Sequence, residues 1–263
     1  VCSLAQIDVP VYPGMEKPLI RDQVISKDIH GESGLGGALF STPIREPKQQ
    51  HAVDFLIDAC KSSAGDLTLI PMGPLTNIAM ALLREPIIKE GIKEIVLMGG
   101  AYGLGNFTPA AEFNIFADPE AAKIVFESGV PITMIGLELT HQAKIPPEVV
   151  EEVATLGTPI SDLVVELLGH YGEAYMKVMG FEAPPLHDVC AVAYAIDSTL
   201  MNTKEMHVAV ETTSGLCYGR TVCDYYRVTG KTPNAKVALT LDTGRFWRLF
   251  VDTLKGANMA EER

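Results

Sequence analysis

Glu94-Ile95-Val96-Leu97-Met98-Gly99-Gly100 reads as a buried strand stopped by a glycine pair. Upstream, Leu67-Thr68-Leu69-Ile70 is a second such run, closed by Pro71 and Gly73, and Thr76 to Arg84 between the two fits a helix. Downstream, Asp118 as N-cap and Pro119 at the first helical position open a helix that runs to Ser128. Pro131-Ile132-Thr133-Met134-Ile135-Gly136 is then a third strand. Strands alternating with longer helical patterns mark an α/β sheet with crossover helices. Further on, Ile145 to Met179 should supply at least two helices, and His187 to about Ile196 another. Val208-Ala209-Val210-Glu211 and Thr221-Val222-Cys223-Asp224-Tyr225 resemble an antiparallel hairpin, and Ala235 to Leu241 is a strand. Phe246, Leu249, Phe250 and Leu254 define one face of a last amphipathic helix. The expected fold is an open, mostly parallel α/β sheet flanked by helices, with a C-terminal antiparallel hairpin. No Pro/Gly/Ser-rich linker divides residues 1–263, so one domain is expected.

Composition narrows the function. The 263 residues are 47% hydrophobic and 21% charged, the balance of a globular chain. With 21 basic against 33 acidic residues the net charge is −12, a poor match to phosphate backbones, so nucleic acid is not an expected partner. No apolar run reaches the roughly 18 residues of a membrane helix, and Val1 to Tyr12 lacks the pattern of a signal peptide. Five scattered cysteines form no C-x-x-C pair, which points to a reduced, cytoplasmic setting.

A sheet of this kind presents its functional groups beyond the carboxyl ends of its strands. The densest polar cluster follows the second strand: Gly99, Gly100, Gly103 and Gly105, then Asn106, Glu112, Phe113 and Asn114. Glycines allow close backbone approach, and two amides with a carboxylate suit a polyhydroxylated ligand. No Lys or Arg lies between Met98 and Ala122, so a phosphate fits poorly. A surface loop with capping asparagines accounts for the same string. His187-Asp188, after Pro184-Pro185, reads either as a functional pair or as a structural histidine beside a helix cap. Ile29-His30-Gly31-Glu32-Ser33-Gly34 reads as a loop carrying a histidine, and Tyr171 and Tyr175 share one helical face.

Taken in order, these segments resemble the inosine-uridine-preferring, calcium-dependent nucleoside hydrolases. The resemblance runs from Val9-Pro10-Val11-Tyr12-Pro13-Gly14 through Gly73-Pro74-Leu75-Thr76-Asn77 and Leu97-Met98-Gly99-Gly100-Ala101. It continues in Ala111-Glu112-Phe113-Asn114, Asp118-Pro119-Glu120-Ala121-Ala122 and His187-Asp188. It implies the nucleoside hydrolase fold and hydrolysis of the N-glycosidic bond of ribonucleosides, purine and pyrimidine, to free base and ribose. It implies that Asn106, Glu112 and Asn114 hold ribose hydroxyls with Met98 near the sugar, and that Asp188 contacts both ribose and Ca²⁺. The Met72 carbonyl would be a further calcium ligand, since a hard cation takes oxygen. His30 and Phe113 would line the base pocket, with Tyr171 and Tyr175 at its mouth, and His187 would be the catalytic group assisting departure of the base. His30 and His187 favour the inosine-uridine type over tryptophan-stacking relatives, because the single tryptophan, Trp247, sits on the last helix. Relatives are dimers or tetramers, so a homo-oligomer is expected by analogy.

One departure matters. The family's amino-terminal Asp-x-Asp-x-Gly-x-Asp-Asp string, which carries most calcium ligands and the water-activating aspartate, has no match in these residues. The chain therefore reads as an N-terminally truncated member lacking about 30–60 residues, one or two strand–helix units. On that reading calcium is not retained and catalysis is impaired. Two alternatives stand beside it: a non-catalytic nucleoside- or ribose-binding protein, and an enzyme that uses Asp118 or Asp224 as its base.

Overall fold

The computed structural model describes residues 2, 4, 7–31, 34–35 and 46–258, with the backbone alone at 30, 257 and 258. Seven strands are described: β1 Leu67–Leu69, β2 Ile92–Met98, β3 Ile132–Ile135, β4 Met201–Met206, β5 Val208–Val210, β6 Thr221–Cys223 and β7 Ala235–Leu241. The main sheet has the order β1-β2-β3-β7-β4, and β5 pairs with β6 in a separate hairpin. β1, β2, β3 and β7 run parallel, and β4 pairs antiparallel to β7. The open, mostly parallel sheet and the antiparallel hairpin are those the sequence implies.

Alternation along β2 explains the layers. Ile95 and Leu97 pack on one side, Val96 and Met98 on the other, and each pair belongs to a different core cluster. A strand buried on both faces must be apolar throughout, as this one is from Ile95 to Met98. One face is covered by α2 (Ala52–Ser62), α3 (Thr76–Arg84) and α5 (Pro119–Phe126). The other is covered by α7 (Pro147–Ala154), α9 (His187–Ile196) and α10 (Thr243–Asn258). Each wholly buried Leu or Ile contributes about 1.5–3 kcal/mol. Trp247 is spent in this second core, packed edge-on against Phe246 and Phe250.

The bounds of α3, α9 and β7 agree with the sequence reading. β1 ends one residue early at Leu69, and β2 starts two residues early at Ile92. α5 stops at Phe126, because Glu127 takes the C-cap position, and not at Ser128. β3 is confined to Ile132–Ile135, and the hairpin arms end at Val210 and Cys223. The region from Ile145 to Met179 holds α7 and α8 (Pro159–Met179) as expected, with a Thr158–Ser161 capping box opening α8. β4 is a strand the sequence reading misses. Met201-Asn202-Thr203-Lys204-Glu205-Met206 is polar because its middle faces solvent at the sheet edge. The stretch read as a loop around His30 instead contains a short helix, α1 (Lys27–His30).

Among the described residues no helix is long and apolar enough to cross a membrane. All five cysteines are free thiols.

Candidate active site

The carboxyl ends of β1 and β2, with the first turn of α9, open onto a cavity of about 790 Å³. Met72, Met98, Asn106, Glu112, Asn114 and Asp188 line it, as do Phe113, Tyr171, Tyr175 and His187. Of the residues the sequence singles out, His30 alone is unplaced, because its side chain lies outside the described residues. The same holds for Glu32 and Ser33 of that segment.

The glycine loop after β2 is shaped by its own backbone. Gly100 has φ 76°, a conformation L side chains disfavour. A Cβ on Gly105 would lie 2.2 Å from the Thr108 carbonyl, so the turn that carries Asn106 closes only over glycine. From the hairpin, Thr221 Oγ1 accepts from Ala101 N at 2.8 Å and donates to Ala101 O at 2.6 Å.

Glu112 caps α4 (Phe113–Ala117). Its Oε1 accepts from Asn114 N at 2.8 Å. Its Oε2 accepts from Gly100 N at 2.9 Å and Ile115 N at 3.1 Å. Asn114 Nδ2 donates to Met98 O at 3.0 Å, which leaves Oδ1 for a hydroxyl donor. Asn106 Oδ1 accepts from Phe113 N at 2.9 Å, which leaves its amide nitrogen to donate. The asparagines do brace the loop, and they also present complementary atoms to the cavity.

Asp188 does not serve as a helix cap. Leu186 occupies that position, and Asp188 follows within the first turn of α9. Its carboxyl group is pushed up to about 6 by burial. Burial likewise pushes Glu112 up to about 7, with the Asp188 charge adding to the shift and three backbone N–H groups opposing it. Two carboxyls with raised folded values hold more protons in the native than in the unfolded chain between about pH 4 and pH 7. Stability therefore falls as pH rises through that window, by an amount of order a few kcal/mol. Burial holds His141 below its ordinary value, a weaker effect of opposite sign. Melting curves of chelator-treated protein should show a lower midpoint at pH 7.5 than at pH 5.5, and Asp188→Asn should flatten the difference. A midpoint that rises across this range would contradict the assignment.

The aromatic side of the cavity is a hydrogen-bonded row. Tyr175 OH lies 2.7 Å from His187 Nε2, and Thr140 Oγ1 lies 2.6 Å from His187 Nδ1. The Tyr171 and Tyr175 rings meet edge to face at 4.7 Å, and their hydroxyls share a hydrogen bond. Burial raises both phenols, so they stay protonated donors. Thr140 ends α6 (Leu137–Thr140), directly after β3. The sequence reading misses it, although its place beyond a strand's carboxyl end was the available signal. Phe107, edge-on to Phe113 at 5.4 Å, is a second missed lining residue.

The described residues do not by themselves fit a calcium ion. Asp188 and the Met72 carbonyl supply two ligands, against the 6–8 oxygens this cation takes. No group of three His, Cys, Asp or Glu side chains among the described residues is placed to hold a metal. Asp118 and Asp224 have structural work. Asp118 accepts from Leu19 N, Thr76 Oγ1 and Ala121 N, and Asp224 accepts from Val228 N and from Thr229 N and Oγ1.

Comparison with known proteins gives a consistent picture. The family model described as inosine-uridine preferring nucleoside hydrolase matches residues 1–248. The pyrimidine-specific ribonucleoside hydrolase RihB of Escherichia coli is 47% identical over 256 residues, covering 97% of this chain and 82% of that protein. The structure of a purine-preferring ribonucleoside hydrolase from Gardnerella vaginalis superposes with TM-score 0.90 at 35% identity, over 97% of this chain and 83% of the other. A plant nucleoside hydrolase superposes with TM-score 0.88 at 30% identity, over 95% of this chain and 81% of the other.

Proposed function

The chain belongs to the inosine-uridine preferring nucleoside hydrolase family, and from that premise we propose that its cavity takes a purine or pyrimidine ribonucleoside and breaks the N-glycosidic bond to free base and ribose. The observation that carries this reading is convergence. Asn106, Glu112, Asn114 and Asp188 share one cavity with the hydrogen-bonded His187–Tyr175 pair.

The roles follow from the chemistry of the bond. Cleavage passes through a sugar that resembles an oxocarbenium ion, so carboxylates beside it stabilise the developing positive charge. Glu112 and Asp188 are those carboxylates. Asn114 Oδ1 and the Asn106 amide nitrogen sort ribose hydroxyls into donors and acceptors. The departing base leaves as a nitrogen anion unless it gains a proton, and a positioned acid is worth about 10²–10⁴ in rate. His187 supplies it, with Tyr175 and Tyr171 lining the base side and Phe113 giving an aromatic face. His30 is assigned to the base pocket by family resemblance alone.

A calcium ion, when bound, would supply a Lewis acid and a water of lowered pKa; Asp188 and the Met72 carbonyl are its assigned ligands here. We assign water activation to none of the described residues, since Asp118 and Asp224 are committed elsewhere. A second reading, a protein that binds ribose or nucleosides with little turnover, uses the same cavity with Asn106, Glu112 and Asn114.

Base release from uridine and inosine, followed with Ca²⁺ and with chelator beside the Escherichia coli relative, tests the proposal. Calorimetry with ribose runs in parallel. Calcium-dependent release supports the hydrolase. Heat of ribose binding with no release selects the binding protein, and neither binding nor release overturns both.

A further inference from the structure

The mechanism asks His187 to act through one ring nitrogen, and the ring is held at both. Its Nε2 is 2.7 Å from Tyr175 OH and its Nδ1 is 2.6 Å from Thr140 Oγ1. Neutral imidazole has one N–H and one acceptor nitrogen, so its two partners must differ in role.

The surroundings decide which. Tyr175 OH lies 2.7 Å from Nε2, within reach of a hydroxyl proton pointed at that nitrogen. A phenol is also a stronger acid than a neutral imidazole N–H, which makes O–H···N the better bond at that end. On the far side Thr140 is wholly buried, and its hydroxyl has the Leu137 carbonyl, 3.4 Å away, as acceptor. A threonine that donates to Leu137 O meets Nδ1 with a lone pair, and so accepts from an Nδ1–H. The protons then run one way, from Tyr175 to Nε2, and from Nδ1 through Thr140 to Leu137 O.

Resting on the proposed function, we infer that Thr140 is a positioning residue that fixes the His187 proton on Nδ1 and turns Nε2 toward Tyr175 and the base. With Nδ1–H fixed, Nε2 is the one nitrogen that gains the second proton, and the imidazolium so formed gives that proton to the departing base and returns to the Nδ1–H form. The peptide carbonyl behind Thr140 is that of Leu137, the first residue of α6, so the short helix that follows β3 sets the tautomer.

The test reads the tautomer directly, without substrate. Long-range ¹H–¹⁵N spectra of protein labelled with ¹⁵N-histidine, recorded at pH 8 where an ordinary imidazole is neutral, separate protonated from bare ring nitrogens. Loss of one ring system in His187→Gln identifies the signals. Wild type should show Nδ1–H with bare Nε2. Thr140→Val, nearly isosteric but without the hydroxyl, should move His187 to the Nε2–H form or to a mixture, and Thr140→Ser should restore the wild-type pattern. A wild-type spectrum with Nε2 protonated overturns the inference whether or not the valine variant folds, as does a folded Thr140→Val with unchanged signals. Absence of base release by the wild type overturns the hydrolase reading and leaves the tautomer result standing.

Discussion

Replacing Asp118 with alanine is expected to cost about 3–5 kcal/mol of stability, because the wholly buried carboxylate ties three separated segments together. It accepts from Leu19 N at 3.0 Å, from Thr76 Oγ1 at 2.6 Å at the start of α3, and from Ala121 N at 3.1 Å as the N-cap of α5. Alanine leaves two backbone N–H groups and one hydroxyl without their acceptor in a site closed to solvent. For a chain of this size the melting temperature should fall by about 10 °C or more. Asp118→Asn should be nearly as damaging, because Oδ1 faces Ala121 N and Oδ2 faces Leu19 N and Thr76 Oγ1, so the amide nitrogen meets a donor in either orientation. This outcome also separates architecture from chemistry. A catalytic base replaced by alanine would stop turnover and leave the melting temperature nearly unchanged, and that result would reverse the assignment.

Glu112→Ala should weaken ribose binding about 10–100-fold, the loss of a charge-assisted hydrogen bond to a hydroxyl, measured by calorimetry. It should also cost about 0.5–2 kcal/mol for the missing cap of α4. The usual conservative control fails here for a stated reason. Both carboxylate oxygens already face backbone N–H donors, so the amide nitrogen of Glu112→Gln would meet a donor whichever way it turned. Glutamine should therefore be as damaging to stability as alanine. A Gln variant with wild-type melting and wild-type affinity would show that these contacts do not define the site.

Much of this arrangement was legible in the chain because the strands are buried on both faces. Ile95 to Met98 cannot lie at a surface, and the glycines after Met98 cannot lie within a strand, so the site had to begin there. Boundaries drifted where capping decides the end, as at Glu127 after α5. β4 escaped because an edge strand half open to water is built from Asn202, Thr203, Lys204 and Glu205, which carry no apolar signal. Glu112 and Asn114 stand out in the residue pattern, the roles of Tyr175 and His187 come from the family resemblance, and the convergence of all four on one cavity is a finding of the fold. Of the two readings of His187-Asp188, the helix cap does not hold for Asp188, because the backbone puts the cap two residues earlier, at Leu186. Thr140 has only its place beyond the carboxyl end of β3 to mark it, because a hydroxyl that faces a ring nitrogen 47 residues away leaves no further local trace.

The grip of Thr221 on both polar groups of Ala101 ties the small hairpin to the glycine-loop end of the cavity, the end proposed to take ribose, across 120 residues of chain. The glycine loop is thus not a portable cassette. Grafted into another scaffold, residues 99–114 would arrive without the outside hand that holds their first turn, and a chimera that exchanged β5 and β6 would loosen the ribose end without touching one ligand-facing side chain.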